Sequence, residues 1–121
     1  MKRIAVITAA LMALAAPALA SYDTGWYAYT AGDFALAHSE WKPLAKAGDA
    51  RAHYQLGVMY RKGEGVAADS AEAARWFGLA AAQGHSPSSF NLSRLHYTGD
   101  GVTHDHDEAA RLAQQAAKYG N

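Results

Sequence analysis

The run His104-Asp105-His106-Asp107 holds the residue types most suited to binding a metal. Imidazole and carboxylate groups can take zinc or copper. A zinc site needs three or four converging ligands, and His104 and His106 straddle a helix start at which Asp105 serves as cap. The run therefore reads as an exposed polar loop, with metal binding through His104 and His106 as the alternative. His38, His53, His85 and His96 are scattered, with no nucleophile in a recognisable arrangement. Ser86, Ser88 and Ser89 follow His85. Nucleophilic catalysis needs a base within hydrogen-bond reach and a third orienting group, and adjacency in sequence supplies neither. These serines read as a helix start. Gly63-x-Gly65 and Gly99-x-Gly101 lack the lysine and hydroxyl residue of a nucleotide loop, and neither follows a strand. No catalytic residue and no cofactor is expected.

The remaining candidates would recognise rather than react. On one helix Arg51, Tyr54, Val58, Arg61 and Lys62 lie away from the Ala52-Leu56-Tyr60 stripe. Phe90, Arg94 and Tyr97 stand on the matching side of a later helix. Aromatic and arginine side chains are the types that anchor protein partners. For Tyr54 and Phe90 the alternative is packing against the preceding helix, because core and interface both use aromatics. Arg94 and Tyr97 are expected to be exposed.

These residues are carried by a repeated unit. Asp49 can cap a helix from Ala50 to about Lys62, with Gly57 beside Leu56 leaving room for a neighbouring helix. Gly63 and Gly65 permit a turn. Asp69 starts a second helix, and Glu72 three positions on completes a capping-box pattern. Ala73, Trp76, Ala80 and Ala81 form its inward face and Gly84 ends it. A shift of 36 positions returns Leu92, Gly99, Gly101, Val102, Asp105, Glu108, Ala109, Ala110, Arg111, Ala116, Ala117 and Gly120. Such a period marks a helical repeat array. In this later unit Ser86-Pro87 is expected to open the first helix, with Ser86 as cap, and the second runs from about His106 to Tyr119. Earlier, Tyr22 to Thr30 suggests a short helix, and Asp33 caps a segment in which Pro43 should introduce a kink near Ser39. Asp33, Ala35, Ala37, Ala45 and Gly48 obey the same shift, and Trp41 falls one position from register with Trp76.

The whole chain has 121 residues, formal net charge +0 and no cysteine. Disulfides and thiolate chemistry are thereby excluded, and the charge balance argues against nucleic acid as a partner. Lys2 and Arg3, the apolar run Ile4 to Ala16, Pro17 and Ala18-Leu19-Ala20 form the pattern of a cleavable export signal ending before Ser21. The run is too short to span a bilayer. The expectation is a periplasmic or secreted protein with no stable membrane insertion after cleavage. The chain divides into residues 1–20 as signal, 21–48 as an imperfect helix pair, 49–84 as a full repeat and 85–121 as a degenerate one.

The order Ala52, Leu56, Gly57, Tyr60; Gly63, Gly65, Val66; Asp69; Ala73, Trp76; Ala80, Ala81, Gly84 resembles a Sel-1-like repeat, a family similar to the tetratricopeptide repeats. The final unit departs from the pattern at Ser93, His96 and Leu112. The resemblance implies an all-α, right-handed solenoid of about six helices in antiparallel pairs, serving as a scaffold for a protein or peptide. The function expected from it is a binding adaptor in the bacterial cell envelope. The alternative is an envelope enzyme or β-lactam-interacting protein of the same fold. Some cysteine-rich secreted members are linked to penicillin binding, but this chain lacks the cysteines.

Overall fold

The computed structural model describes residues 19–120. The core of the expected export signal, from Lys2 to Ala18, lies outside them. Six helices follow in order: α1 Tyr22–Thr30, α2 Phe34–Lys46, α3 Ala50–Lys62, α4 Ser70–Ala81, α5 Ser86–Thr98 and α6 His106–Tyr119. Each packs on its chain neighbours. The pairs α1–α2, α3–α4 and α5–α6 are antiparallel. In the middle pair Gln83, past the end of α4, bonds the carbonyl of Gly48 before α3, while the Asp69 amide donates to Tyr60 near the end of α3. Among the described residues no helix is long and apolar enough to cross a membrane.

The helix starts follow from side-chain caps. Asp33, Asp49, Asp69 and Asp105 each accept a backbone N–H from the first turn. The expected reciprocal half of the capping box does not form. Glu72 and Glu108 instead turn to Arg75 and Arg111, each at 2.6 Å, one turn further on. The amides they would have met are already taken, because the Asp69 and Asp105 N–H groups donate to the carbonyls of Tyr60 and His96 at 2.8 and 2.9 Å. The start of α5 also differs from expectation. Its cap position is His85 with no side-chain cap bond, and Ser86 is already inside the helix. Helix α2 runs unbroken through Pro43 to Lys46.

Two buried clusters lie along the stack, and the half-buried Tyr60 packs against both. Trp41, Ala37, Ala52, Leu56, Met59 and Trp76 belong to the first, and Val58, Ala73, Phe77 and Leu95 to the second. The aromatic that corresponds to Trp41 is Phe77, 36 positions on, and not Trp76. Each sits beneath a helical glycine. A Cβ at Gly57 would stand 2.6 Å from the Phe77 ring, and one at Gly25 would enter the ring of Trp41. In the third unit Ser93 and Ala113 replace this glycine–aromatic pair, and Ser93 donates to the Ala109 carbonyl at 2.6 Å. A larger residue on one helix thus accompanies a smaller one on its partner, but Ser93 and Ala113 together fill less space than Gly57 and Phe77, and Ala113 is exposed.

The Gly-x-Gly loops join the units. Gly65 and Gly101 have φ of 72° and 73°. A Cβ on Gly65 would meet Phe34, and one on Gly101 would meet the backbone of Ser70 and Ala71. Both loops therefore lie directly against the start of the preceding unit's second helix, an approach only glycine allows.

Candidate functional site

The first helices α1, α3 and α5 lie side by side. Gln55 donates to the Tyr22 hydroxyl at 2.9 Å, and the Arg51 guanidinium lies 4.2 Å above the Tyr22 ring. Tyr29 donates to Glu64 at 2.8 Å. Burial, reinforced by this bond to a carboxylate, pushes the Tyr29 phenol up to about 12. In stacked helix pairs the first helices line the inner surface, where partners bind.

Arg61 and Arg94 meet on this surface. With Asn91, Leu95, Thr98 and Asp100 they line a cavity of about 320 Å³ between α3 and α5. Arg94 is exposed, whereas Arg61 is half-buried and its Nε is buried with no hydrogen-bond partner. Among the described residues neither guanidinium is within 4.0 Å of a carboxylate, although Asp100 shares the cavity. Two cations on polar walls are suited to a carboxylate, which can accept paired N–H bonds from a guanidinium.

The eight residues singled out from sequence fall into separate places. Arg61 and Arg94 share the cavity. Arg51 and Lys62 are exposed on α3, and Arg51 is paired with Asp49 at 3.3 Å. Val58 is not a groove residue: it is 8% exposed and belongs to the core, because its face of α3 is covered by the next unit. Tyr54 is half-buried, its ring 5.9 Å from Phe77 and 5.1 Å from His85, so packing is its role. Phe90 and Tyr97 are 54% and 62% exposed. They do not join the cavity, however, but lie on the end of the stack beside α6. Sequence reasoning passed over Asn91 and the aromatics of α1. Trp26 is 44% exposed and stacks on Tyr29 at 6.0 Å, which places an aromatic on the same inner surface. The signal for it is the Gly25–Trp41 match to Gly57–Phe77, which sets α1 in register with α3 at an offset different from 36.

The histidines find separate structural settings. His53 is buried, with its Nε2 2.8 Å from the Ala45 carbonyl. His96 Nδ1 meets the Thr103 carbonyl at 3.0 Å. His85 Nδ1 and Ser88 Oγ are 2.8 Å apart, but Ser88 is 0% exposed and cannot reach a substrate. His104 and His106 do come together, Nε2 to Nε2 at 2.8 Å, with His106 stacked on Tyr97 at 4.8 Å. Among the described residues no group of three or more metal-ligating side chains forms around them.

Three stacked helix pairs, tied by glycine loops and presenting a cationic inner groove, define a helical-repeat scaffold. The Sel1 repeat model matches residues 50–85 and 86–121, and the chain belongs to the Sel1 repeat family. Proteins of this family generally act as non-enzymatic scaffolds for protein–protein interaction. An uncharacterised protein of Neisseria meningitidis serogroup B, NMB1327, is 41% identical over 59 residues, which cover 49% of this chain and 13% of that protein. Among solved structures, c5321, a protective antigen of uropathogenic Escherichia coli with an SLR fold, is similar at a TM-score of 0.76. It shares 31% identity across 83% of this chain and 22% of its own. A Sel1 repeat protein from Oxalobacter formigenes is similar at a TM-score of 0.74 and 29% identity, over 78% of this chain and 41% of its own. Cysteine-rich protein B of Helicobacter pylori shares the fold, with a TM-score of 0.68 at 20% identity over 70% of this chain and 64% of its own. In each case the chain spans less than two thirds of the relative's length.

Proposed function

We propose that this protein is an exported adaptor of the bacterial cell envelope that holds an acidic peptide segment of a partner protein in the groove between α3 and α5. Arg61 and Arg94 anchor a carboxylate, Asn91 and Thr98 bond the peptide backbone, and Trp26 offers an apolar surface further along. The observation that carries this reading is the half-buried Arg61, whose Nε has no hydrogen-bond partner beside a second arginine without a carboxylate partner. A buried, unsatisfied donor is costly, and a bound carboxylate would satisfy it. The export reading rests on the basic start, apolar run and small-residue site before Ser21.

Affinity capture from envelope extract tests the binding site. Partners held by the parent should be lost with Arg61→Ala/Arg94→Ala and kept with Lys118→Ala, a change on the far helix. Unchanged capture by the double variant would discard the groove. Amino-terminal sequencing of protein recovered from the periplasm should begin at Ser21, and recovery only from the cytoplasm would discard export.

A further inference from the structure

The two contacts between units are copies of one another. Helix α3 presents Ala52, Leu56 and Met59, all 0% exposed, to the cluster around Ala37 and Trp41. Helix α5 presents Ser88, Leu92 and Leu95, 36 positions later, toward Ala73, Ala74 and Phe77. The chain contains a third receiving face of the same construction, formed by α5 and α6. Ala110, Ala113 and Ala117 stand there where Ala74, Phe77 and Ala81 stand in the middle unit. The three middle-unit residues are buried, whereas the three terminal ones are exposed. Phe90, at the place of the half-buried Tyr54, is 54% exposed. Phe90, Ala113, Ala117 and Tyr119 line a groove of about 810 Å³ on this face.

The chain also contains a third presenting helix. Matching Gly25 to Gly57 puts Thr24 and Tyr27 of α1 at the places of Leu56 and Met59. Tyr27 is 73% exposed. The sizes complement each other. Ala113 is small where Trp41 and Phe77 are large, and Tyr27 is large where Met59 and Leu95 are intermediate.

We propose that the terminal α5–α6 face receives α1 of a second copy, so that molecules stack head to tail in continuation of the solenoid. Two terminal faces set against each other would leave two hollows unfilled, which disfavours a symmetric pair. A head-to-tail contact does not close on itself and yields open chains of molecules. One helix against one groove is a small contact, so assembly is reversible and grows with concentration.

The absence of native cysteine makes the test direct. Thr24→Cys and Ala110→Cys fall at exposed positions on the two faces, leave Tyr27 and Ala113 in place, and are checked for folding by circular dichroism. Treated with a short bismaleimide at rising concentration, the double variant should give a ladder of dimers, trimers and longer species. An equimolar mixture of the two single variants should stop at dimers, and each single variant alone should stay monomeric. Dimers from Ala110→Cys alone would replace this arrangement with the symmetric one. A double variant without a ladder would overturn the proposal, as would an equal ladder from Thr24→Cys/Ala68→Cys, whose second site lies on the exposed loop before α4.

Discussion

Replacing Gly57 by alanine sets two known effects against each other. Inside a helix, alanine is favoured over glycine by about 0.8–1.0 kcal/mol. Propensity alone therefore makes Gly57→Ala stabilising. The structure reverses the sign. The added Cβ would stand 2.6 and 2.7 Å from Cε1 and Cδ1 of Phe77. Carbon atoms pack comfortably at ~3.5–4.0 Å, so the ring or α3 must retreat by about 1 Å. Phe77 is 0% exposed and its core has no slack on that side. Overpacking of this kind costs roughly 1–3 kcal/mol. Set against the propensity gain, a net loss of about 1 kcal/mol is expected.

Gly78 supplies the control from the facing helix. A Cβ there would meet only Leu92 Cδ2, at 3.9 Å, which is ordinary contact. Propensity then acts unopposed, and Gly78→Ala should gain up to about 1 kcal/mol. The two variants should thus differ by about 2 kcal/mol, and in a domain of this size each kcal/mol moves the melting temperature by roughly 4–8 °C. Urea unfolding followed by far-ultraviolet circular dichroism measures the difference, with equal m values required for the comparison. If Gly57→Ala proves as stable as Gly78→Ala, the glycine is not there to admit Phe77 and the close-packing argument fails.

Gly101→Ala should cost at least about 2 kcal/mol, since it combines the left-handed penalty with a clash against the α4 backbone, and limited proteolysis should show the last unit released first. Tyr29→Phe tests the alkaline limit. The phenol titrates at about 12 when folded against 10.0 ordinarily, because of burial and then the bond to Glu64, so the folded state holds its proton longer. That contribution is complete below pH 10.0 and is lost as pH rises toward about 12, and the variant should lack this part of the alkaline slope. His38 works in the opposite direction. Burial, aided by Lys42, holds its imidazole below 6.5, so acidification favours the unfolded chain and stability falls as pH drops below that value. His38→Gln should flatten part of that acid slope in thermal melts.

The architecture was legible because caps and glycines act locally. Asp33, Asp49, Asp69 and Asp105 each fix a helix start from their own side chain, and Gly63 and Gly99 end helices with φ of 73° and 72°. The errors arise where the outcome depends on a neighbour. The capping box does not close because the amides of Asp69 and Asp105 bond the carbonyls of Tyr60 and His96 in the preceding helix, which leaves the two glutamates to Arg75 and Arg111. Val58 looked outward because its helix was read alone, yet the next unit covers it. Residue type sets Trp41 beside Trp76, one position out of register, whereas the position beneath the glycine pairs it with Phe77.

The same dependence explains why the candidate site was only half visible. Positions that hold the stack together are constrained in every unit, so they repeat and announce the fold. A binding surface need not repeat, because its partner touches each unit differently. The series Trp26, Val58 and Arg94 occupies one position in the three first helices, and only the middle member is buried. The series Tyr29, Arg61 and Tyr97 lies at the edge facing the next unit. There Tyr29 meets Glu64, Arg61 meets the α5 groove, and Tyr97 stacks on His106. Register from the repeated residues locates these series, and the differences within them single out Arg61 and Arg94. Their convergence across two helices is a tertiary fact, set by the stacking of α5 on α3, and no periodicity within either helix contains it.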